Sequence, residues 1–129
     1  YLVLKNDLFG VSETIVYDGK SWNYLDIIKQ ANICYILPFV FKDKLIMSVM
    51  TGRFIDYLSL ADSAGKNISS SLFVYDGNKT VKLPVKYALL RDAIIKKGRL
   101  LLLLEKDGGF YIAETSNLKR WKFYAIPSS

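Results

Sequence analysis

Apolar and aromatic residues along this chain fall into short runs broken by glycine, aspartate, asparagine and lysine, a pattern that predicts strands and tight turns. The pattern is clearest near the C-terminus. Leu100 to Glu105 reads as a strand, Asp107-Gly108-Gly109 as a turn, Phe110 to Glu114 as a second strand and Thr115 to Lys119 as a polar corner; a third strand, Trp121 to Ile126, stops at Pro127. Asp-Gly and Gly-Gly supply the positive φ that two-residue hairpin turns require.

Weaker versions of this paragraph occur twice more. In the first unit, Tyr1 to Leu4 is a strand ending at Lys5-Asn6-Asp7, Phe9 to Thr14 is a second, and Asp18-Gly19 opens the turn before Ser21 to Leu25. Tyr1 to Asp7 falls on Leu101 to Asp107, and Trp22 falls within one residue of Trp121, so this unit lacks only its opening strand. In the middle unit Ile33 to Leu37 leads in, Pro38 restarts the chain, and Phe39-Val40-Phe41 reaches a turn at Lys42-Asp43. Leu45 to Met50 and Phe54 to Ala61 are strands joined at Thr51-Gly52, Asp62 to Ser71 is a loop, and Leu72 to Tyr75 pairs across Asp76 to Lys79 with Thr80 to Leu83 before Pro84 closes the unit. The third unit opens with Val85 to Leu90, continues through Ala93-Ile94-Ile95, and turns at Lys97-Gly98. Ser21 to Ala31 and Tyr87 to Lys97 also admit a helical reading, but neither carries a cap pair.

The expected fold is therefore all-β: a propeller-like stack of about three four-stranded antiparallel blades, the first incomplete, over residues 1–32, 33–84 and 85–129. A blade cannot cover both its own faces, so neighbours must. Strands buried on both faces read as unbroken apolar runs, as Leu45 to Met50 and Leu100 to Leu104 do. A β-sandwich of the same strand density is the alternative.

Composition narrows the chemistry. The 129 residues are 51% hydrophobic and 23% charged, enough for one globular core. The net charge of +6 comes from lysines and arginines scattered singly and in pairs, which reads as a solvated surface guarding strand edges rather than as a nucleic-acid footprint. Histidine is absent, which removes the Ser-His-Asp triad and most zinc sites, and the single cysteine, Cys34, lies in an apolar context as a buried structural thiol. No run reaches the length of a membrane span; Lys42-Asp43-Lys44 interrupts the nearest. The sequence opens on Tyr1 in what reads as mid-strand, as in a piece of a longer parent chain. Scarce glutamine with abundant Lys, Ile, Leu and Tyr leans toward a thermophilic source.

Ala113-Glu114-Thr115-Ser116-Asn117-Leu118-Lys119-Arg120-Trp121 resembles the A-x-S-x-D-L-x-x-W stretch that closes blades in five-bladed glycoside-hydrolase propellers, and Asp18-Gly19-Lys20-Ser21-Trp22 is similar to the end of the Asp-box of sialidase-type repeats. Asn117 stands where the family has Asp, and Thr80 or Val81 holds the Trp position of the middle unit. The resemblance implies a structural role: the acidic or amide side chain bonds the turn backbone and the tryptophan packs between blades. It also implies that three blades need missing chain or partner subunits to close a ring.

Catalysis by paired carboxylates needs two of them about 5 to 10 Å apart. Asp43, Asp56, Asp92 and Glu105 are the candidates, with Asp92 and Glu105 nearest strand ends that approach a central channel; the family's sialidase site also needs several arginines, and only Arg53, Arg91, Arg99 and Arg120 exist. Trp22, Tyr24, Trp121 and Tyr124 are candidates for stacking on sugar rings, though such residues more often form blade core. Asn67 and Asn78 head two glycosylation sequons. No residue set for a metal or cofactor is present. The expectation is a non-catalytic structural or binding module at an extracellular or virion surface, serving assembly or attachment, with glycans or other protein subunits as partners and an archaeal virus tail or spike as one setting. A fragment of an extracellular glycoside hydrolase is the alternative.

Overall fold

The computed structural model describes residues 2–8, 11–25, 33–52 and 69–127. All regular structure there is β: β1 (Leu2–Leu8), β2 (Val11–Tyr17), β3 (Trp22–Tyr24), β4 (Ile33–Phe41), β5 (Lys44–Thr51), β6 (Ser69–Tyr75), β7 (Thr80–Tyr87), β8 (Leu89–Lys96), β9 (Arg99–Lys106), β10 (Gly109–Thr115) and β11 (Lys122–Ala125). They form three antiparallel sheets in sequence order, β1-β2-β3, β4-β5-β6-β7 and β8-β9-β10-β11, none closed into a barrel. No described helix is long and apolar enough to cross a membrane.

The turns follow from the residues that occupy them. Lys42-Asp43, Lys97-Gly98 and Asp107-Gly108 each carry two consecutive positive φ values, from 49° to 77°, which matches the right-handed twist of the strands they join. The strand reading of the segment after Tyr87 holds, since β8 pairs with β9 from Leu89↔Glu105 to Lys96↔Arg99.

The sheets stack face to face, with the middle sheet covered on both sides. Period-2 alternation divides β5 cleanly. Leu45, Met47 and Val49, with Phe73 and Tyr75 of β6, pack against Val16 and Leu25 of the first sheet. Ile46, with Phe41, Leu72, Val85 and Tyr87, packs against Leu100, Leu102 and Leu104 of the third. Leu45 to Met50 are accordingly buried without a break. This arrangement fits blades side by side and equally a three-layered sandwich.

Several boundaries differ from the sequence reading. β1 runs on through Lys5-Asn6-Asp7 to Leu8, and β2 occupies 11–17 rather than 9–14; β1 is an edge strand, where charged residues are tolerated. Neither Pro38 nor Pro84 interrupts its strand. Both lie on edge strands of the middle sheet, and Pro84 sits where the register shifts between Ser71↔Lys86 and Phe73↔Lys82, a bulge that spares the ladder a missing donor. β7 therefore extends to Tyr87, and β6 begins at Ser69 inside the expected loop. In β9 the expected double burial is half realised: Leu100, Leu102 and Leu104 are buried, whereas Leu101 and Leu103 are only half-buried because nothing described covers the far face of the third sheet. The strand expected over Phe54 to Ala61, most of the loop that follows it, and the side chain of Cys34 lie outside the described residues.

Candidate functional site

The best-built repeated feature is a turn. Between the last two strands of each sheet a short polar side chain folds back onto the chain. Asp18 Oδ1 accepts from the N–H groups of Lys20 (2.8 Å) and Ser21 (2.9 Å), Asp76 Oδ1 from Asn78 (2.9 Å) and Lys79 (3.0 Å), and Asn117 Oδ1 from Lys119 and Arg120 (both 2.9 Å). The next residue has positive φ in every case: Gly19 at 99°, Gly77 at 97° and Leu118 at 65°. The same Asx-turn is thus written three times. Backbone N–H bonds, from Ser21 and then Lys20 and from Lys79 and then Asn78, hold the carboxyls of Asp18 and Asp76 below the usual carboxylate range.

The third copy is the most elaborate. Thr115 Oγ1 accepts from Leu118 N–H (2.9 Å) and donates to the Arg120 carbonyl (2.8 Å), and Trp121 Nε1–H donates to the Leu118 carbonyl (3.2 Å). Leu118 is buried and Trp121 packs half-buried against the core between the middle and third sheets. These contacts hold the corner's shape.

Two of the candidate carboxylates, Asp92 and Glu105, are engaged. Asp92 sits beside a register shift in β8 and accepts a bond from Ala93 N–H (2.8 Å); Glu105, near the end of β9, pairs with Arg91 (3.0 Å). Arg99 pairs with Glu114 at 2.6 Å, and Tyr124 Oη–H donates to the same carboxylate at 3.2 Å. The Arg99 bond, more than the tyrosine's, holds the Glu114 carboxyl below its ordinary value, and Glu114 in turn raises the Tyr124 phenol. Arg91 and Arg99 therefore serve two separate carboxylates instead of surrounding one. Asp43 occupies an exposed hairpin turn, and Asp56, Arg53 and Asn67 lie outside the described residues.

The four aromatic candidates do not converge. Trp22, 50% exposed, stacks on Tyr17 with centroids 5.0 Å apart, and Tyr24 is its near neighbour on β3. Trp121 lies in the third-sheet corner and Tyr124 on β11. Tyr24 lines a cleft of about 420 Å³ with Asn23, Tyr75 and the Asp76 turn, including Asn78, which is exposed as a glycosylation acceptor must be. A second cleft, about 520 Å³ and mainly apolar, lies between β7 and the third sheet and is lined by Pro84, Lys86, Tyr87, Leu104, Tyr111 and Phe123. No group of three or more His, Cys, Asp or Glu that could hold a metal occurs among the described residues.

What sequence reasoning missed is the far face of the third sheet. There Ile94 and Phe110 are 52% and 42% exposed and Leu101, Leu103 and Ile112 are half-buried; Asp92 lies opposite Leu103 and Glu114 opposite Leu101 in the register, and the Arg99–Glu114 and Arg91–Glu105 pairs flank the leucines. An apolar field with a charged margin is the usual dress of a protein interface. The signal was the unbroken leucine run of β9, which asks for cover on both sides. Compared with known families, curated proteins and solved structures, the chain matches none.

Proposed function

We propose that this chain is a non-catalytic structural and binding module, displayed at an extracellular or virion surface, whose task is assembly or attachment. The observation that carries the reading is the largely apolar far face of the third sheet, which no described residue covers, set beside Asp92 and Glu105, bonded to backbone and to an arginine. The exposed sequon at Asn78 and the exposed Trp22 agree with a surface location and with glycans among the partners. A tail or spike component of an archaeal virus is a setting that suits such a module.

The test combines turnover and display. The chain, with Asp92→Asn and Glu105→Gln variants alongside, is incubated with a panel of fluorogenic glycosides, and antibodies to it are applied to intact cells and particles of the source. Surface labelling with no turnover is the expected result. Turnover that either substitution abolishes would establish the glycoside-hydrolase alternative, and labelling only after lysis would remove the surface assignment.

A further inference from the structure

All three sheets stack in the same sense. The middle sheet turns Leu45, Met47 and Val49 toward the first sheet, and Ile46, Leu72 and Val74 toward the third. The third sheet turns Leu100, Leu102 and Leu104, which hold the places of Leu45, Met47 and Val49 in the aligned repeat, back toward the middle. Each joint therefore unites the leading face of one sheet with the trailing face of the next. Two such joints exist among the described residues. The described residues leave one face of each kind open: the leading face of the third sheet, with Leu101, Leu103 and Ile112, and the trailing face of the first, with Leu2, Tyr17 and Trp22 opposite one another in the register.

We propose that these two open faces join between copies: the third sheet of one chain receives the first sheet of a second copy, head to tail. The proposal rests on the assembly reading above and names its partner. The two faces are the unlike halves of a joint the chain already makes twice, so a second copy fits them as the next sheet fits the last. β9 is apolar at every position from Leu100 to Leu104, as β5 is over most of Leu45 to Met50, yet only in β5 are both sets buried. Unlike faces that meet repeatedly give either a closed ring or an open filament.

One contact predicts the seam. Between the middle and third sheets Lys42 Nζ donates to the Ser116 carbonyl at 2.6 Å. Lys97 holds the place of Lys42 in the third sheet, at φ 51° in the same kind of turn, and is exposed. Across the proposed joint it faces the segment around Asp18 of the second copy, whose carboxyl is held ionised by its own turn.

Sedimentation velocity on the 129-residue chain, on Leu103→Lys, on Trp22→Lys and on an equimolar mixture of the two variants tests the proposal. The expected result is wild type self-associated beyond the 14.7 kDa of one chain. Each variant alone should be weakened at least about tenfold in self-association. In the mixture a two-chain species should return, because the Leu103→Lys chain keeps its trailing face and the Trp22→Lys chain its leading face. A wild type monomeric at about 100 μM overturns the proposal. So does a mixture that recovers nothing, since one joint in it keeps both native faces, and so does self-association that neither lysine weakens. Far-UV circular dichroism confirms folding, and Ile94→Lys and Leu2→Lys, at sites 52% and 58% exposed, replace any variant that fails to fold. A monomer leaves the non-catalytic reading standing, which falls instead on glycoside turnover.

Discussion

Leu118 stands where the other two turns carry glycine, and replacing it with glycine sets two effects against each other. At φ 65° a leucine lies in the left-handed region, at a cost of about 1–2 kcal/mol that Leu118→Gly would relieve. The same side chain is 6% exposed and packed in the core between the middle and third sheets, and truncating a buried leucine costs about 2–5 kcal/mol. The glycine also loosens the unfolded chain, worth about 0.4–1 kcal/mol more. Burial wins. Leu118→Gly should be destabilised by about 2–3 kcal/mol, whereas Leu118→Ala, which keeps the strained φ and loses nearly the same contacts, should fall within about 1 kcal/mol of it. Urea denaturation at fixed protein concentration reads this as a lower midpoint with an unchanged slope. A Leu118→Gly chain as stable as wild type would show that the third turn gains nothing from its leucine, and the account of that corner would be wrong.

Thr14 Oγ1 is buried and has no hydrogen-bond partner among the described residues, so Thr14→Val should leave stability unchanged or raise it by up to about 1 kcal/mol in thermal melts. A marked loss would mean that the hydroxyl is bonded. Tyr87 shares a buried 2.7 Å hydrogen bond with Ser48, and burial pushes its phenol well above the ordinary value of 10.0. The folded state therefore keeps a proton that the unfolded state releases. Stability from this group is intact below pH 10.0 and declines as pH rises beyond it, by about 1.4 kcal/mol per pH unit. Denaturation between pH 9 and 11 should show a slope that Tyr87→Phe reduces; equal slopes would refute it. Leu102, fully buried between the middle and third sheets, should cost about 2–5 kcal/mol as Leu102→Ala, measured by urea midpoint. A cost under about 1 kcal/mol would mean that this sheet joint is loose.

Much of this was legible because the deciding information is local. Lys42-Asp43, Lys97-Gly98 and Asp107-Gly108 announce their turns by residue type, and the unbroken run over Leu45 to Met50 states that both sides of that strand are covered. The prolines misled for the opposite reason. Pro38 and Pro84 break a strand only if their missing N–H is needed by a neighbour, and whether a strand lies at an edge is set by the sheet, not by the run. Leu118 gave no sign of its positive φ, since leucine rarely adopts it; only laying its turn against Asp18-Gly19 and Asp76-Gly77 reveals the position. Asp92 and Glu105, named only for the alternative reading, show the limit of a strand pattern: it gives which residues approach one another, but not that Arg91 pairs with Glu105 and the Ala93 N–H bonds Asp92.

The two prolines also decide how this protein can stick to things. With Pro38 on one margin of the middle sheet and Pro84 on the other, neither margin offers the full row of donors that a stray extended chain would zip onto. Sideways growth into fibrils is discouraged where the sheet is most hydrophobic, and the broad flat sides are left as the surfaces open to association.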